Sequence, residues 1–180
     1  MFRPICAAGA PSFAPLALPK NTTLSGGALL GSPLSCDFAV VSLSNLLTPQ
    51  ETIEARLRAA ASGDLALALY NPMSRNRPCA LSRACSVLLE SLPAERPCGY
   101  VRNIGRSGQS TKVCTLLELR SAALDMFCTA FVGSSCTKCV MRGGHEYLVT
   151  ERGYLLLYMY LKRGAHKCAE RQSRRSFEKN

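Results

Sequence analysis

An unbroken apolar run, residues 65–70, stands near the middle of the chain and ends at the pair Asn71 and Pro72. Six apolar residues are too few for a buried helix, and no polar residue alternates with them. The run therefore predicts a strand that is buried on both faces, in the middle of a sheet with helices on both sides. Because a residue before proline is disfavoured in the helical region, Asn71 is predicted to be extended, with the chain turning off the strand there.

Similar apolar runs predict further strands at residues 37–43, 98–101 and 126–132. Apolar residues at helical spacing predict helices from Thr48 to Gly63, over about 79–90 and over 116–124, and small residues at 21–31 predict one short helix. Strands and helices thus alternate along the chain. This order predicts an α/β fold with a mixed, mostly parallel sheet flanked by helices.

The clearest local signal is the start of the helix that follows Thr48. Thr48 is predicted to cap this helix, Pro49 to occupy its first position, and Glu51 to complete a capping box. Gly63 supplies the stop signal, and the buried strand follows at once. The sequence therefore predicts a compact strand–helix–strand unit.

Three predicted buried strands end in small or amide residues, at Asn71, Asn103 and Gly133. The carboxyl ends of parallel strands meet at one edge of a sheet, and α/β proteins bind ligands outside that edge. We therefore expect the three residues to converge on one site. Asn71 has a simpler interpretation as a residue that terminates a strand in a turn.

Half of the net charge of +10 over 180 residues lies at the end of the chain, where residues 161–180 carry seven Lys or Arg against Glu170 and Glu178. The length favours one domain with extensions. A mildly basic body suits a polyanionic small molecule, and a nucleic-acid partner for the tail is unlikely because Phe177 is its only aromatic residue.

Ten cysteines are irregularly spaced, which favours free thiols in a reducing compartment over a disulfide framework. Cys136, Cys139 and His145 form at most part of a zinc site, so we predict no metal. Prolines interrupt the apolar residues near the start, and long apolar runs are broken, so neither a signal peptide nor a membrane span is predicted. We expect a cytoplasmic protein.

Six motifs occur in an order and spacing that identify a family. The motifs, together with upstream pieces at 30–34, 37–38, 42–44 and 47–49, resemble the C-terminal domain of precorrin-3B C(17)-methyltransferases, which are tetrapyrrole methyltransferases. The similarity runs from about Leu29 to Tyr154, and the six motifs are residues 69–72 with Ser74 and Arg77, 99–106, 115–119, 125–126, 132–137 and 149–154.

The resemblance implies a fold in which two α/β domains hold S-adenosylmethionine (SAM) in the cleft between them. It implies SAM-dependent methyl transfer to C-17 of precorrin-3B, with ring contraction, in cobalamin (corrin) biosynthesis. No catalytic residue is assigned. The residues implied to contact SAM are Leu69, Tyr70, Asn71, Arg102, Asn103 and Gly133.

The resemblance also implies that Arg75, Arg77 and Arg106 pair with the acetate and propionate carboxylates of the tetrapyrrole substrate. Alternatively, Arg75 and Arg77 belong to a solvated loop. The sequence departs from the family pattern at four positions, since Cys36 replaces His, Asn45 an acidic residue, Gln109 Glu and Ser134 Asn.

The glycine-rich N-terminal half of the family has no counterpart in this sequence. We expect residues 1–34 to be an irregular arm and a remnant of that domain, residues 35–161 to be the C-terminal α/β domain, and residues 162–180 to be a basic flexible tail. The expected partner is a separate N-terminal domain chain, or a second copy in a homodimer, for a truncated or split enzyme. The alternative is a non-catalytic SAM- or tetrapyrrole-binding module that has lost turnover.

Overall fold

A computed structural model describes residues 19–74 and 76–152. The helices in this part of the chain are α1 Pro19–Leu30, α2 Gln50–Ser62, α3 Ala80–Leu88 and α4 Leu116–Arg120. The strands are β1 Gly31–Ser32, β2 Phe38–Ser42, β3 Ala66–Tyr70, β4 Pro97–Arg102, β5 Ser110–Thr115, β6 Cys128–Val132, β7 Thr137–Arg142 and β8 His145–Thr150.

Five of the described strands form one mixed sheet in the order β2-β3-β6-β4-β5. Helices cover this sheet, so the predicted mixed α/β class is confirmed. The prediction of mostly parallel pairing is wrong, because β2 and β3 are the only parallel neighbours among these five described strands. The reason is β6, which inserts between β3 and β4 and runs opposite to both.

A smaller sheet has the order β1-β8-β7. The two-residue strand β1 pairs in parallel with β8, and β7 and β8 form a hairpin through Gly143 and Gly144, which both have positive φ angles. Strands β5 and β7 were not predicted. Their residues are largely exposed, so they lack the continuous apolar run by which the buried strands were found.

Both faces of the five-stranded sheet are buried, as the apolar run of β3 predicts. Leu67 and Leu69 point to a core shared with α2, α3 and α4, whereas Ala68 points to a second core. In that second core, Leu30 of α1 packs with Phe131 of β6. The side chains of β3 are therefore committed to packing on both sides of the sheet.

The helix starts differ from the predicted ones. In the described structure α2 begins at Gln50 with Pro49 as its N-cap residue and without a side-chain cap, so the capping box predicted for Thr48 and Glu51 is wrong. The helix begins one residue too late for that pair to be in register. A complete capping box lies instead at α4, between Thr115 and Glu118.

Helix α1 lies within the segment that was expected to be an irregular arm, and it agrees with the short helix predicted at 21–31. Gly26 brings it close to the sheet, because a Cβ atom there would lie 2.9 Å from the Phe131 ring. Residues 1–18 and the predicted tail at 162–180 lie outside the described residues, and the predicted domain boundaries remain predictions.

The eight cysteines in the described part of the chain are all unpaired thiols. Those in apolar runs, such as Cys85, Cys98 and Cys128, are buried. The described residues contain no group of three or more potential ligands for a metal ion. Among the helices that the structure describes, we find none with the length and hydropathy needed to cross a bilayer.

Candidate functional site

The carboxyl ends of β2, β3 and β4 lie at the same edge of the five-stranded sheet, together with the start of β6. The register places Tyr70 beside Ser42 on one side and beside Thr129 on the other, and it pairs Arg102 with Cys128. Because β6 separates β3 from β4, the ends of these two strands are about 10 Å apart. We call this edge the ligand edge.

The two asparagines that follow β3 and β4 at the ligand edge have the same backbone conformation. Asn71, after β3, has a φ of 53°, and Asn103, after β4, has a φ of 52°. The predicted extended conformation of Asn71 is therefore wrong. Asparagine enters the left-handed region more readily than most residues, because its short polar side chain bonds locally. The backbone therefore turns off both strands in the same way.

The loop after Asn103 is held by polar contacts within it. The Asn103 side-chain nitrogen lies 3.5 Å from the carbonyl oxygens of Ser107 and Gly108, and the side-chain oxygen of Gln109 accepts a 2.8 Å bond from the Gly105 amide. Gly105 and Gly108 have φ angles of 70° and 75°, which non-glycine residues rarely adopt. The loop therefore forms a defined turn beside the ligand edge.

Arg102, at the end of β4, and Arg106, in the loop after it, contact residues of the turn before β6. The Arg102 guanidinium forms an ion pair with the Asp125 carboxylate, with 3.0 Å between nitrogen and oxygen. The Arg106 guanidinium lies over the ring of Phe127, 5.6 Å from its centre. Arg106 is exposed, which leaves its donors accessible to an anionic ligand.

Arg77 lies beside the loop that follows β2, and its guanidinium donates a 2.7 Å bond to the carbonyl of Leu43. It lines a pocket of about 210 Å³ between the loops after β2 and β3. Arg83 lines the same pocket, whose described lining residues include no carboxylate. Arg75 lies outside the described residues.

The other two predicted contact residues on β3 differ in exposure. Leu69 is fully buried in the core against the helices, so its side chain does not reach the ligand edge. Tyr70 is partly exposed, and its carbonyl oxygen accepts from the amide of Leu43. Of the pair, only Tyr70 is accessible to a ligand.

Gly133 lies at the opposite edge of the sheet, so the expected convergence of three strand ends is wrong for this residue. Since β6 runs antiparallel to β3 and β4, its carboxyl end meets the start of β4, where the Gly133 amide donates to the carbonyl of Pro97 at 2.9 Å. A Cβ atom at Gly133 would lie 2.5 Å from the Cβ of Thr137. Close packing accounts for the glycine.

Residues near Gly133 form a polar cluster of their own. The Asp64 carboxylate accepts from the amide of Ser135 at 2.8 Å and from its hydroxyl, and it lies 3.6 Å from the guanidinium of Arg96. These bonds tie the end of β6 to the loop before β3. The cluster fixes the edge remote from Asn71.

The sequence did not predict that three polar residues lie on this side of the sheet as part of the candidate site, namely Arg83, Gln109 and Asp125. Asp125 had a usable signal, because an aspartate before a strand often bonds the amide two residues on, and the Phe127 amide does donate to it at 2.9 Å. Arg83 lies on the predicted helix α3, and its approach to Arg77 requires the tertiary fold.

The arrangement is that of an α/β domain with a ligand edge built from strand ends, amide-bearing turns and arginines. The chain matches the family described as tetrapyrrole (corrin/porphyrin) methylases over residues 23–120, which is more than half of its length. The chain belongs to this family.

Curated relatives extend the similarity. A probable cobalt-factor III C(17)-methyltransferase of Salmonella typhimurium (strain LT2) is 37% identical over 136 residues, which cover 76% of this chain and 55% of the relative. A precorrin-3B C(17)-methyltransferase of a Sinorhizobium species is 40% identical over 132 residues, covering 73% and 52%. The chain thus spans about half the length of these relatives.

A solved structure, the crystal structure of the methyltransferase CobJ, superposes with a TM-score of 0.60 at 35% sequence identity. The superposition covers 69% of this chain and 51% of that one. Its agreement confirms the resemblance that the sequence motifs indicated.

Proposed function

We propose that this chain forms the C-terminal half of a SAM-dependent methyltransferase that acts at C-17 of precorrin-3B, with ring contraction, in cobalamin biosynthesis. The observation that carries the proposal is the pair of matching turns at Asn71 and Asn103, on the ligand edge of a chain that belongs to the tetrapyrrole methylases. The names of the Salmonella and Sinorhizobium relatives support the position of methylation.

The ligand edge fits a nucleoside-bearing molecule such as SAM. Left-handed turns carry the backbone away from the strand ends at two points, and the side chain of Tyr70 offers an apolar surface with a hydroxyl. Tyr70, Asn71, Arg102 and Asn103 would hold SAM in the proposal, and Leu69 would contribute backbone alone. Gly133 would affect SAM binding only indirectly, because it allows β6 to pack closely.

SAM supplies an electrophilic methyl group, so the chain has chiefly to place the two reactants. Transfer requires the accepting carbon about 3 Å from the methyl carbon and in line with the departing sulfur. The residues of the ligand edge would orient SAM for that approach and exclude water from it. Such a role needs a rigid edge, which the bonds of Asn103 and Gln109 support.

The arginines would recognise the carboxylates of the tetrapyrrole. Arg106 is exposed beside the ligand edge, and Arg77 lines a pocket whose other charged described residue, Arg83, is also basic. Guanidinium groups bind carboxylates through paired, charge-assisted hydrogen bonds. We include Arg75 in this set from the sequence alone.

The proposal includes a partner that completes the cleft, as a separate N-terminal domain chain or a second copy of this one. Apolar side chains exposed at or near the ligand edge support it: Leu47 is 94% exposed after β2, and Met126 is 60% exposed before β6. In the proposal, the partner covers these side chains. The cytoplasmic location remains a prediction.

Isothermal titration of the full chain with SAM tests the proposal, alone and after addition of the N-terminal half of the Sinorhizobium relative. Binding in either case is expected, followed by methyl transfer to precorrin-3B or cobalt-factor III in the combined sample. No binding in both cases would refute the function. Binding without transfer to either tetrapyrrole would favour the non-catalytic module, a function also compatible with a chain that matches only about half the length of its relatives.

A further inference from the structure

One short turn, residues 125–127, contacts Arg102 at the end of β4 and Asn103 and Arg106 in the loop that follows it. The Arg102 guanidinium forms an ion pair with the Asp125 carboxylate at 3.0 Å, and the Asn103 amide donates to the Phe127 carbonyl at 3.2 Å. The Arg106 guanidinium lies over the Phe127 ring. Three groups from one strand end thus depend on the shape of this turn.

The Asp125 carboxylate also closes the turn itself. Its Oδ1 atom accepts from the Phe127 amide at 2.9 Å and from the Cys128 thiol at 3.2 Å, while Oδ2 forms an ion pair with Arg102. One oxygen therefore shapes the turn and the other holds the arginine. An amide in this place offers a single oxygen, so asparagine is able to do one of these tasks but not both.

The pair contributes more to geometry than to stability. Arg102 and Asp125 have side-chain exposures of 42% and 43%, and exposed ion pairs of this kind add little to the free energy of unfolding. The contacts of the turn nevertheless fix the direction in which Arg102 and Asn103 leave β4. Loss of the carboxylate should disturb that direction while the fold persists.

We propose that Asp125 is a positioning residue for the ligand edge, acting through Arg102 and through the Phe127 turn. The proposal rests on the proposed function, because it takes SAM as the molecule that Arg102 and Asn103 meet. It assigns to Asp125 no contact with SAM itself. Its effect is to hold two contact residues in the geometry that binding requires.

Titration of SAM into the full chain and its variants tests this role, under the conditions in which the wild type binds. Asp125→Asn should weaken binding about tenfold, because Arg102 loses the charge that holds it in place, with an unchanged melting temperature. Arg102→Gln should have a similar effect. Glu90→Gln is the control, because Glu90 bonds Arg58 at 2.8 Å in an equally exposed pair that joins α2 to the end of α3.

The double variant Asp125→Asn/Arg102→Gln separates positioning from general loosening of the structure. If Asp125 acts in part through Arg102, the double variant should lose less affinity than the product of the two single losses, whereas independent effects would multiply. Wild-type affinity in Asp125→Asn, or full additivity in the double variant, would overturn the positioning role and leave the proposed function intact. Failure of the wild type to bind SAM would overturn both.

Discussion

Asn71 follows β3 and Asn103 follows β4, two strands that run in the same direction, and the two residues have nearly equal φ angles of 53° and 52°. The strands are not neighbours, since β6 lies between them. The two turns therefore frame the start of β6 from both sides. This relationship could not be seen from the sequence, where Asn71 is followed by Pro72 and Asn103 by Ile104.

The left-handed conformation of Asn71 predicts an unusual order of stability among its variants. Asn71→Gly should leave the free energy of unfolding within about 0.5 kcal/mol of wild type, because glycine adopts positive φ without strain. Asn71→Ala should lower it by about 1 kcal/mol, because alanine keeps the strained Cβ atom and lacks the polar side chain by which asparagine bonds locally. Urea unfolding measures both. Asn45→Ala, in an exposed loop at negative φ, should be neutral. Equal stability of the Ala and Gly variants would contradict the assigned conformation.

The two threonines that could cap helices should differ in their effect on stability. Thr115→Ala should lower the free energy of unfolding by about 1 kcal/mol, because the Thr115 hydroxyl accepts from the Glu118 amide at 3.2 Å and this bond would be lost. Thr48→Ala is the matched control and should change it by less than about 0.5 kcal/mol, since α2 has no side-chain cap within the described structure. A larger loss at Thr48 would restore the capping box predicted from the sequence.

Both helix starts carry the same sequence signature, which shows where local patterns stop being informative. Thr48 and Glu51, like Thr115 and Glu118, have the spacing of a capping box. The first pair fails because Pro49 occupies the N-cap position and shifts the helix by one residue. The second pair was read as part of a family motif, and its cap was overlooked.

Burial and strand identity could be predicted, but strand direction could not. The continuous apolar runs of β3 and β6 specify strands buried on both faces, and the structure confirms both. Nothing in the run of β6 indicates that it runs antiparallel, because its apolar pattern is the same in both directions. The prediction for Gly133 failed for this reason alone.

Acid should reduce the contribution of Glu118 to stability. Bonds from the Thr115 amide and hydroxyl hold the pKa of the Glu118 carboxyl below its ordinary value of 4.5. A carboxyl group whose pKa is lower in the folded than in the unfolded state stabilises the fold at a pH above its pKa in the unfolded state. This stabilisation is lost as the pH falls through the pKa of the group in the folded state. Wild type should therefore melt above Glu118→Gln near neutral pH, and the gap should close below about pH 4. A constant gap in a series of melting curves would contradict this.

Substitution of Gly133 should destabilise the fold without involving the ligand edge directly. Gly133→Ala would place a Cβ atom 2.5 Å from Thr137, and relief of the clash should cost about 1–3 kcal/mol in chemical denaturation. Gly63→Ala is the control, because its nearest neighbour would be an ordinary 3.5 Å away. An equal effect at both glycines would show that the close approach of β6 to Thr137 is absent.

The described thiols should react with alkylating reagents in two groups. Burial raises the pKa of Cys85 to about 12 and raises that of Cys98 as well, so both should resist iodoacetamide near pH 8 in the folded protein. Cys79 and Cys136 are exposed and should be modified first. Mass spectrometry of digested samples gives the order. Modification of Cys98 as fast as Cys136 would contradict the buried position of β4.

The central position of β6 means that the five-stranded sheet cannot form completely until β6 has been synthesised. β6 is the last of the five strands to be synthesised, yet it forms the seam between the β2–β3 pair and the β4–β5 pair. Until Val132 has emerged, a nascent chain carries two separate strand pairs with open edges toward each other. Such unpaired edges are prone to aggregation during folding. Aggregation is therefore most favoured in the interval between the synthesis of β4 and that of β6.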